Sequence, residues 1–192
     1  MRLWLFGLGL TLIVGCASES RITSHSAAGN LEARNPLACV SAEAIRPENT
    51  AADIAVGALA CTRQSDFKRA AELLMVSNAY AYFDTQRVAD RSAHGALSAL
   101  YTETFSRSSD QQMQALFAEV ESFTPESQRF REVCRLLESA EPPNYHPRYM
   151  IAHGMQTFTD PGTQELVENF DARQAWMRGL EFVNCDENPL FP

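Results

Sequence analysis

Two stretches of the chain are unusually rich in groups capable of acid–base or metal chemistry. The first, residues 83–94, contains Asp84, Arg87, Asp90 and His94. If Asp90 and His94 lie one helical turn apart, the carboxylate can orient the imidazole, as a general base requires. Asp84 and Arg87 are spaced to form an ion pair in the same way. The alternative is a helix junction whose charged residues cap helix ends and form ion pairs, and we favour that alternative.

The second stretch, residues 144–155, contains Tyr145, His146, Arg148 and His153. His146 would lie at the start of a short helix and His153 in its last turn, where a protonated imidazole interacts favourably with the helix dipole. Two histidines seven residues apart could share a metal ion, but no carboxylate that could serve as a third ligand lies at a suitable spacing between them. We therefore predict a structural role for both histidines, with no metal and no cofactor.

The elements that position these residues are predicted to be helices. Thr50 with Asp53, and Ser109 with Gln112, have the spacing of capping boxes, and Asp171 can cap the last helix. The second of these boxes is followed by the apolar residues Met113, Leu116, Phe117 and Val120. Because no segment alternates polar and β-branched residues, we predict an all-α fold: one compact domain of about six or seven helices.

Other helix ends follow from single residues. Ser65 can cap the second helix, and Thr124 can cap a later one with Pro125 as its first residue. Pro147 favours the start of a helix, and Gly154 can end that helix in the left-handed conformation.

The first two helices, residues 52–82, resemble one tetratricopeptide (TPR) hairpin. Small and apolar residues occupy positions where that repeat wants them: Ile54, Gly57, Ala58, Phe67, Ala70 and Leu74. Tyr82 stands where the repeat has a proline, and no second copy follows at the expected period of about 34 residues. A generic helical hairpin is the alternative.

The N-terminus has the pattern of an export signal. Arg2 precedes an apolar run that is too short to span a bilayer, which needs roughly 20 residues. The run ends in Ile13-Val14-Gly15-Cys16, which resembles the lipobox of bacterial lipoproteins. The resemblance implies removal of residues 1–15, a thioether-linked lipid on Cys16 and acylation of its new amino group. Ala17, where inner-membrane lipoproteins carry Asp, implies the outer membrane, with the protein facing the periplasm.

Four cysteines remain in the exported chain: Cys39, Cys61, Cys134 and Cys185. An even number in an oxidising compartment predicts two disulfides, with three possible connectivities. We prefer Cys39–Cys61 and Cys134–Cys185, because the first closes a short loop onto the first helix and the second ties the C-terminus to a helix of the core. Zinc is a poor alternative because the chain has no Cys-x-x-Cys pair.

Composition divides the chain and limits its partners. We predict a signal peptide at 1–15, a lipidated, flexible tether at 16–35 that is poor in large apolar residues, and a helical domain at 36–192. The formal net charge of −8, with Lys68 as the only lysine, argues against nucleic acid as a partner.

Two functions remain open. The chain lacks the sequence signatures of serine hydrolases, zinc proteases, phosphate loops and dinucleotide sites. This favours a non-catalytic module that binds another envelope protein, either as an accessory to an envelope complex or as an immunity or inhibitor protein. The alternative is a periplasmic hydrolase or metal-dependent enzyme that brings Asp90, His94, His146 and His153 into one pocket.

Overall fold

The computed structural model describes residues 27–185, and this part of the chain confirms the all-α class. It contains two 3-10 helices, Ala42–Ala44 and Arg91–Gly95. Within the described range, no helix is both long enough and apolar enough to cross a bilayer. The α-helices are α1 (Ala51–Arg63), α2 (Phe67–Arg87), α3 (Ala96–Phe105), α4 (Asp110–Ser122), α5 (Gln128–Ser139), α6 (Arg148–Ile151), α7 (Gln156–Thr159) and α8 (Ala172–Phe182). Two of the eight, α6 and α7, are single turns, which explains why the sequence predicted six or seven.

The hairpin of α1 and α2 forms the centre of the fold. Its two helices are joined by only three residues and pack extensively against each other. Ser65, expected to cap α2, instead adopts a φ of 62° in the turn, and Asp66 accepts the capping hydrogen bond from the N–H of Arg69. The short connection needs a residue in the left-handed region at that point. The TPR resemblance of this hairpin stays a prediction.

Helix α1 is almost wholly buried because its residues are small. The predicted capping box is present: the Thr50 hydroxyl accepts from the N–H of Asp53, and Asp53 accepts from the N–H of Thr50. A Cβ atom on Gly57 would lie 3.2 Å from the Ala38 carbonyl oxygen and 3.2 Å from Leu37 Cβ. Gly57 therefore permits a close approach of the preceding segment to α1.

Residues 27–35, which we assigned to a flexible tether, instead contact the helical domain. The N–H of Leu31 donates to the Tyr149 carbonyl at 3.0 Å, and the N–H of Asn35 donates to Asp53 Oδ1 at 2.6 Å. Leu31 also packs against the core. The domain thus includes at least residues 27–35, because backbone hydrogen bonds hold a stretch that is poor in apolar side chains. The rest of the predicted tether, the signal peptide and Cys16 lie outside the described residues.

The later caps are partly as expected. Ser109 with Gln112 forms the predicted capping box of α4, and the Asp171 side chain caps α8. The prediction for Thr124 was wrong, because α5 begins at Gln128 and Ser127 is its cap. Thr124 lies in the preceding turn, where its carbonyl accepts from the N–H of Ser127 at 2.8 Å.

Both predicted disulfides are present. Cys39–Cys61 joins the segment before α1 to the last turn of α1, and Cys134–Cys185 joins α5 to the residues after α8. Of these four cysteines, only Cys39 is partly exposed. The first bond ties the segment before α1 to the central hairpin, and the second ties the residues after α8 to α5.

Helix α8 closes the fold against α2. Tyr82 and Phe182 stack with their ring centroids 4.3 Å apart, and Trp176 donates from Nε1 to the Leu137 carbonyl of α5 at 3.2 Å. A Cβ atom on Gly179 would lie 3.0 Å from the Ala79 carbonyl oxygen, so glycine at this position allows α8 to lie close to α2. This packing holds Phe182 at the edge of the cleft described below.

Candidate functional site: an apolar cleft beside a closed polar network

The two stretches with chemical potential meet at Asp84. The Asp84 side chain is fully buried near the end of α2. Its Oδ1 accepts from Arg87 Nε at 2.8 Å, and its Oδ2 accepts from the hydroxyls of Tyr145 at 2.7 Å and Tyr149 at 2.8 Å. The expected Asp84–Arg87 pair is therefore present, and Tyr145 joins it. Tyr149 was missed, because Tyr145 lies outside α6 and the spacing of four between the two tyrosines is not a helical one.

Every charged group in this network is engaged within the protein. The Arg87 guanidinium lies 4.9 Å from the centroid of the Phe83 ring and 4.8 Å from that of Tyr145. Burial raises the pKa of Asp84, against the opposing effects of Arg87 and the two tyrosine hydroxyls. Burial and the Asp84 charge raise the pKa values of Tyr145 and Tyr149, which keeps both hydroxyls protonated as donors. The network thus joins α2 to the segment before and within α6.

Asp90 and His94 do not form the carboxylate–imidazole pair that a general base would require, an interpretation that we did not favour. Asp90 caps the 3-10 helix instead: its Oδ1 accepts from the N–H of Ser92 at 2.9 Å, and its Oδ2 accepts from the N–H of Gln156 at 2.9 Å. His94 Nε2 lies 3.0 Å from the Val88 carbonyl oxygen. The cap takes precedence because 3-10 geometry places Asp90 ahead of the helix and not on its face.

Gly154 explains how α7 reaches Asp90. It does not end α6 in the left-handed conformation, because α6 stops at Ile151 and Gly154 is not among the positive-φ residues of the described chain. A Cβ atom on Gly154 would overlap Asp90 Oδ2 and lie 2.9 Å from Ala93 Cβ. The glycine is needed for this close approach. Helix α6 does begin directly after Pro147, as predicted.

His146 and His153 have separate partners. His146 Nε2 lies 3.1 Å from Glu165 Oε2, and Arg148 Nη1 lies 3.8 Å from Glu165 Oε1. His153 Nδ1 lies 2.9 Å from Asn30 Oδ1. No group of three or more potential metal ligands occurs among residues 27–185.

The four residues of the enzyme hypothesis do not share a cavity in the described structure. Asp90 lines a polar cleft of about 280 Å³, whereas His146 lines a different one of about 200 Å³. His94 and His153 line neither of these clefts. Their contacts stabilise the junction of α2, α6 and α7.

A larger cleft lies on another side of the central hairpin. It measures about 680 Å³, within the usual range of roughly 300–1,000 Å³ for ligand sites. Residues of α2, α3, α4 and α5 and of the end of α8 line it. Five phenylalanines dominate its lining: Phe105, Phe117, Phe123, Phe130 and Phe182.

The rim of this cleft exposes large apolar side chains. Phe117 is 57% exposed, Val120 40% and Phe182 43%. Two polar groups that line the cleft have hydrogen-bond partners within the protein. The Tyr101 hydroxyl donates to Ser77 Oγ at 3.1 Å, and the Asn78 amide donates to the Leu74 carbonyl of its own helix. The sequence pattern of α4 gave no sign that Phe117 and Val120 differ from the buried Leu116.

Helices α3 and α4, which contribute to the cleft, carry acidic residues and no basic ones. The acidic residues are Glu103, Asp110, Glu119 and Glu121. Arg129 of α5 reaches across to Glu119 at 2.5 Å and to a glutamate of α2 at 2.9 Å, so one cation serves two carboxylates.

Comparisons with known proteins give no relatives. No family model, no curated protein and no solved structure matches this chain. The function must therefore be argued from the site alone.

Proposed function

We propose that this chain is a non-catalytic binding protein, anchored by a lipid on Cys16 to the periplasmic face of the outer membrane, that binds another envelope protein. The observation that carries the binding role is the cleft of about 680 Å³ with Phe117, Val120 and Phe182 exposed at its rim. Apolar rings on a concave surface gain free energy when a partner covers them. The partner makes the protein either an accessory to an envelope complex or an immunity or inhibitor protein.

The contacts of the candidate catalytic residues support this choice over a hydrolase. A general base must reach a reacting group with a free lone pair. The Asp90 carboxylate instead accepts hydrogen bonds from two backbone N–H groups, and His94 Nε2 contacts a backbone carbonyl. These contacts tie both side chains to the backbone, with His94 Nε2 as the donor to the carbonyl.

The anchor is proposed from the lipobox residues, and it has its own test. Mass spectrometry of the protein extracted from membranes should find an N-terminus at Cys16 carrying a diacylglycerol and an acyl chain. Cys16→Ser should release the chain from the membrane fraction or leave it uncleaved. An N-terminus at any other residue in the wild-type protein would contradict the anchor while leaving the binding role open.

The binding role is tested by photo-crosslinking in living cells. A photoreactive residue replaces Phe117 in one variant and Met177 in a second, matched variant, because both side chains are 57% exposed. Met177 belongs to α8 and does not line the cleft. We expect one crosslinked species, identified by mass spectrometry, from position 117 and not from position 177.

Specificity for the cleft is checked by adding Phe182→Ser to the position-117 variant, which should remove the crosslink. The same species from both positions, or a crosslink that survives Phe182→Ser, would show that the cleft is not the binding site.

A further inference from the structure

We infer that the occupant of the cleft is an amphipathic α-helix of the partner, with basic residues flanking its apolar face. This inference rests on the proposed binding function and names the class of partner segment.

The cleft is lined by helices. Its residues come from α2, the α3–α4 pair, the start of α5 and the end of α8. A groove between helices accepts an apolar helical face with side chains at positions i, i+3, i+4 and i+7. Binding of an extended strand is the main alternative, but it needs an open sheet edge. The described residues contain only an isolated bridge between Val88 and Leu166.

The apolar lining combines fixed and adaptable groups. Phe182 is held by stacking on Tyr82, with ring centroids 4.3 Å apart, and Leu116, which also lines the cleft, is buried. Met75 and Met113 also line the cleft, and methionine side chains adapt to the shape of a partner. Phe117 and Val120, three residues apart on α4, then lie on the rim where they can close over an inserted side chain.

Charge selects the flanks of the occupant. Helices α3 and α4 carry four carboxylates, none of them among the residues that line the cleft, and Arg107 is the only basic residue between the start of α3 and the end of α4. Arg129 beside the cleft is already shared by Glu72 and Glu119. A helix with Lys or Arg beside its apolar face is therefore attracted to the α3–α4 side of the cleft, whereas an acidic helix is repelled.

The test is a selection of displayed 16-residue random peptides on the mature, lipidated chain in nanodiscs, with counter-selection against Phe117→Asp. We expect enriched peptides with apolar residues at helical spacing and an excess of Lys and Arg. A synthetic peptide from this set should bind wild type at least about tenfold more tightly than Phe117→Asp, and salt should weaken its binding. Met177→Asp is the matched control and should bind like wild type.

Several results would overturn the inference. These are enriched peptides without helical spacing, enriched acidic peptides, binding unchanged by Phe117→Asp, or no enrichment. A variant ending at Cys185 that binds the peptide much more tightly would make residues 186–192 the occupant. If no peptide is enriched and a fluorescent fatty acid binds wild type but not Phe117→Asp, the occupant would be an acyl chain.

Two controls separate a failed fold from a failed inference. Circular dichroism and thermal unfolding must match wild type for Phe117→Asp, and Phe117→Ala serves as a milder second variant. If the position-117 crosslink captures a partner through a segment that is not a helix, the binding function stands and only this inference fails.

Discussion

At the scale of single residues, Asp84 is a buried carboxylate at the centre of a hydrogen-bond network. One carboxylate oxygen accepts from Arg87 and the other from two tyrosine hydroxyls, all in the interior. A buried charge of this kind is tolerated because each lone pair has a donor. Its role is to hold α2 against α6, and mutation should therefore affect stability before binding.

Asp84→Ala should lower the free energy of unfolding by about 3–5 kcal/mol, because it leaves the Arg87 guanidinium buried without its anion. Urea unfolding followed by circular dichroism measures this loss. Glu103→Ala, at an exposed position, is the control and should change stability by less than about 0.5 kcal/mol. A loss below about 1 kcal/mol for Asp84→Ala would mean that water reaches the network.

Asp90 should contribute to the acid sensitivity of the fold. Burial raises its pKa, but hydrogen bonds from Ser92 and Gln156 outweigh burial, and the net pKa lies below the ordinary value. A lowered folded-state pKa stabilises the fold above the unfolded value of about 4, and that stability is lost as the pH falls through the folded value.

Denaturation at a series of pH values tests this contribution. Asp90→Asn should flatten the loss of stability below about pH 4. The exposed Asp160→Asn variant, measured in parallel, controls for the removal of one carboxylate. An identical acid profile for Asp90→Asn and wild type would contradict the assigned cause.

Local spacing predicted the residue contacts only where the backbone was helical. Asp84 and Arg87 lie on one regular helix, and their pairing followed from the interval of three. Asp90 and His94 lie where α2 has ended and a 3-10 helix begins, and the interval of four lost its meaning there. The tyrosines that complete the Asp84 network lie 61 and 65 residues away, beyond the reach of any local pattern.

At the scale of elements, the junction of α7 with the 3-10 helix depends on one glycine. Gly154→Ala should destabilise the protein by about 1–3 kcal/mol, because the added methyl group would overlap Asp90 and press on Ala93. Thermal unfolding measures the effect. Gly95→Ala is the matched control, since its Cβ would lie 3.6 Å from His153 Nε2, an ordinary contact. Equal effects at the two glycines would argue against the close packing of this junction.

Helix starts could be predicted where a glutamine stands three residues after the capping residue. Ser109, followed by Gln112, and Asp171, followed by Gln174, were both confirmed, although Ser108 and Asp110 flank Ser109. Ser65 is followed at once by Asp66, and Thr124 is followed three residues later by Ser127, and in both cases the later residue is the cap. The choice depends on the length of the preceding turn, which tertiary packing sets.

At the scale of the whole molecule, the two disulfides should differ in their effect on stability. Loop-closure entropy assigns about 4 kcal/mol to Cys134–Cys185 and about 3 kcal/mol to Cys39–Cys61, because the two bonds close loops of different length. The sequence separations are 51 and 22 residues. Urea unfolding of the two double Cys→Ala variants should show the larger loss for the 134/185 pair. The opposite order would point to structure that persists in the unfolded chain.

The cysteine count predicted two disulfides and the expected helix positions selected their pairing, whereas the apolar cleft could not be predicted. Its lining comes from five helices spread between Ala71 and Asn184. Whether Phe117 is buried in the core or exposed at the rim of the cleft depends on how far α4 lies from α2 and α8. Hydrophobic periodicity does not predict that distance. The class and stapling of the fold therefore followed from sequence, and its concave surface required coordinates.

The attachment of residues 27–35 has a mechanical consequence. A force that pulls on the N-terminus acts first on the bonds of Leu31 and Asn30 to α6 and its neighbours, and then on the bond from Asn35 to Asp53. These hydrogen bonds would break one after another, starting from the N-terminal side. Extension then stops at Cys39, because the disulfide to Cys61 carries the tension directly into the last turn of α1. The central hairpin and the cleft that it supports are thereby shielded from the first lengthening of the chain.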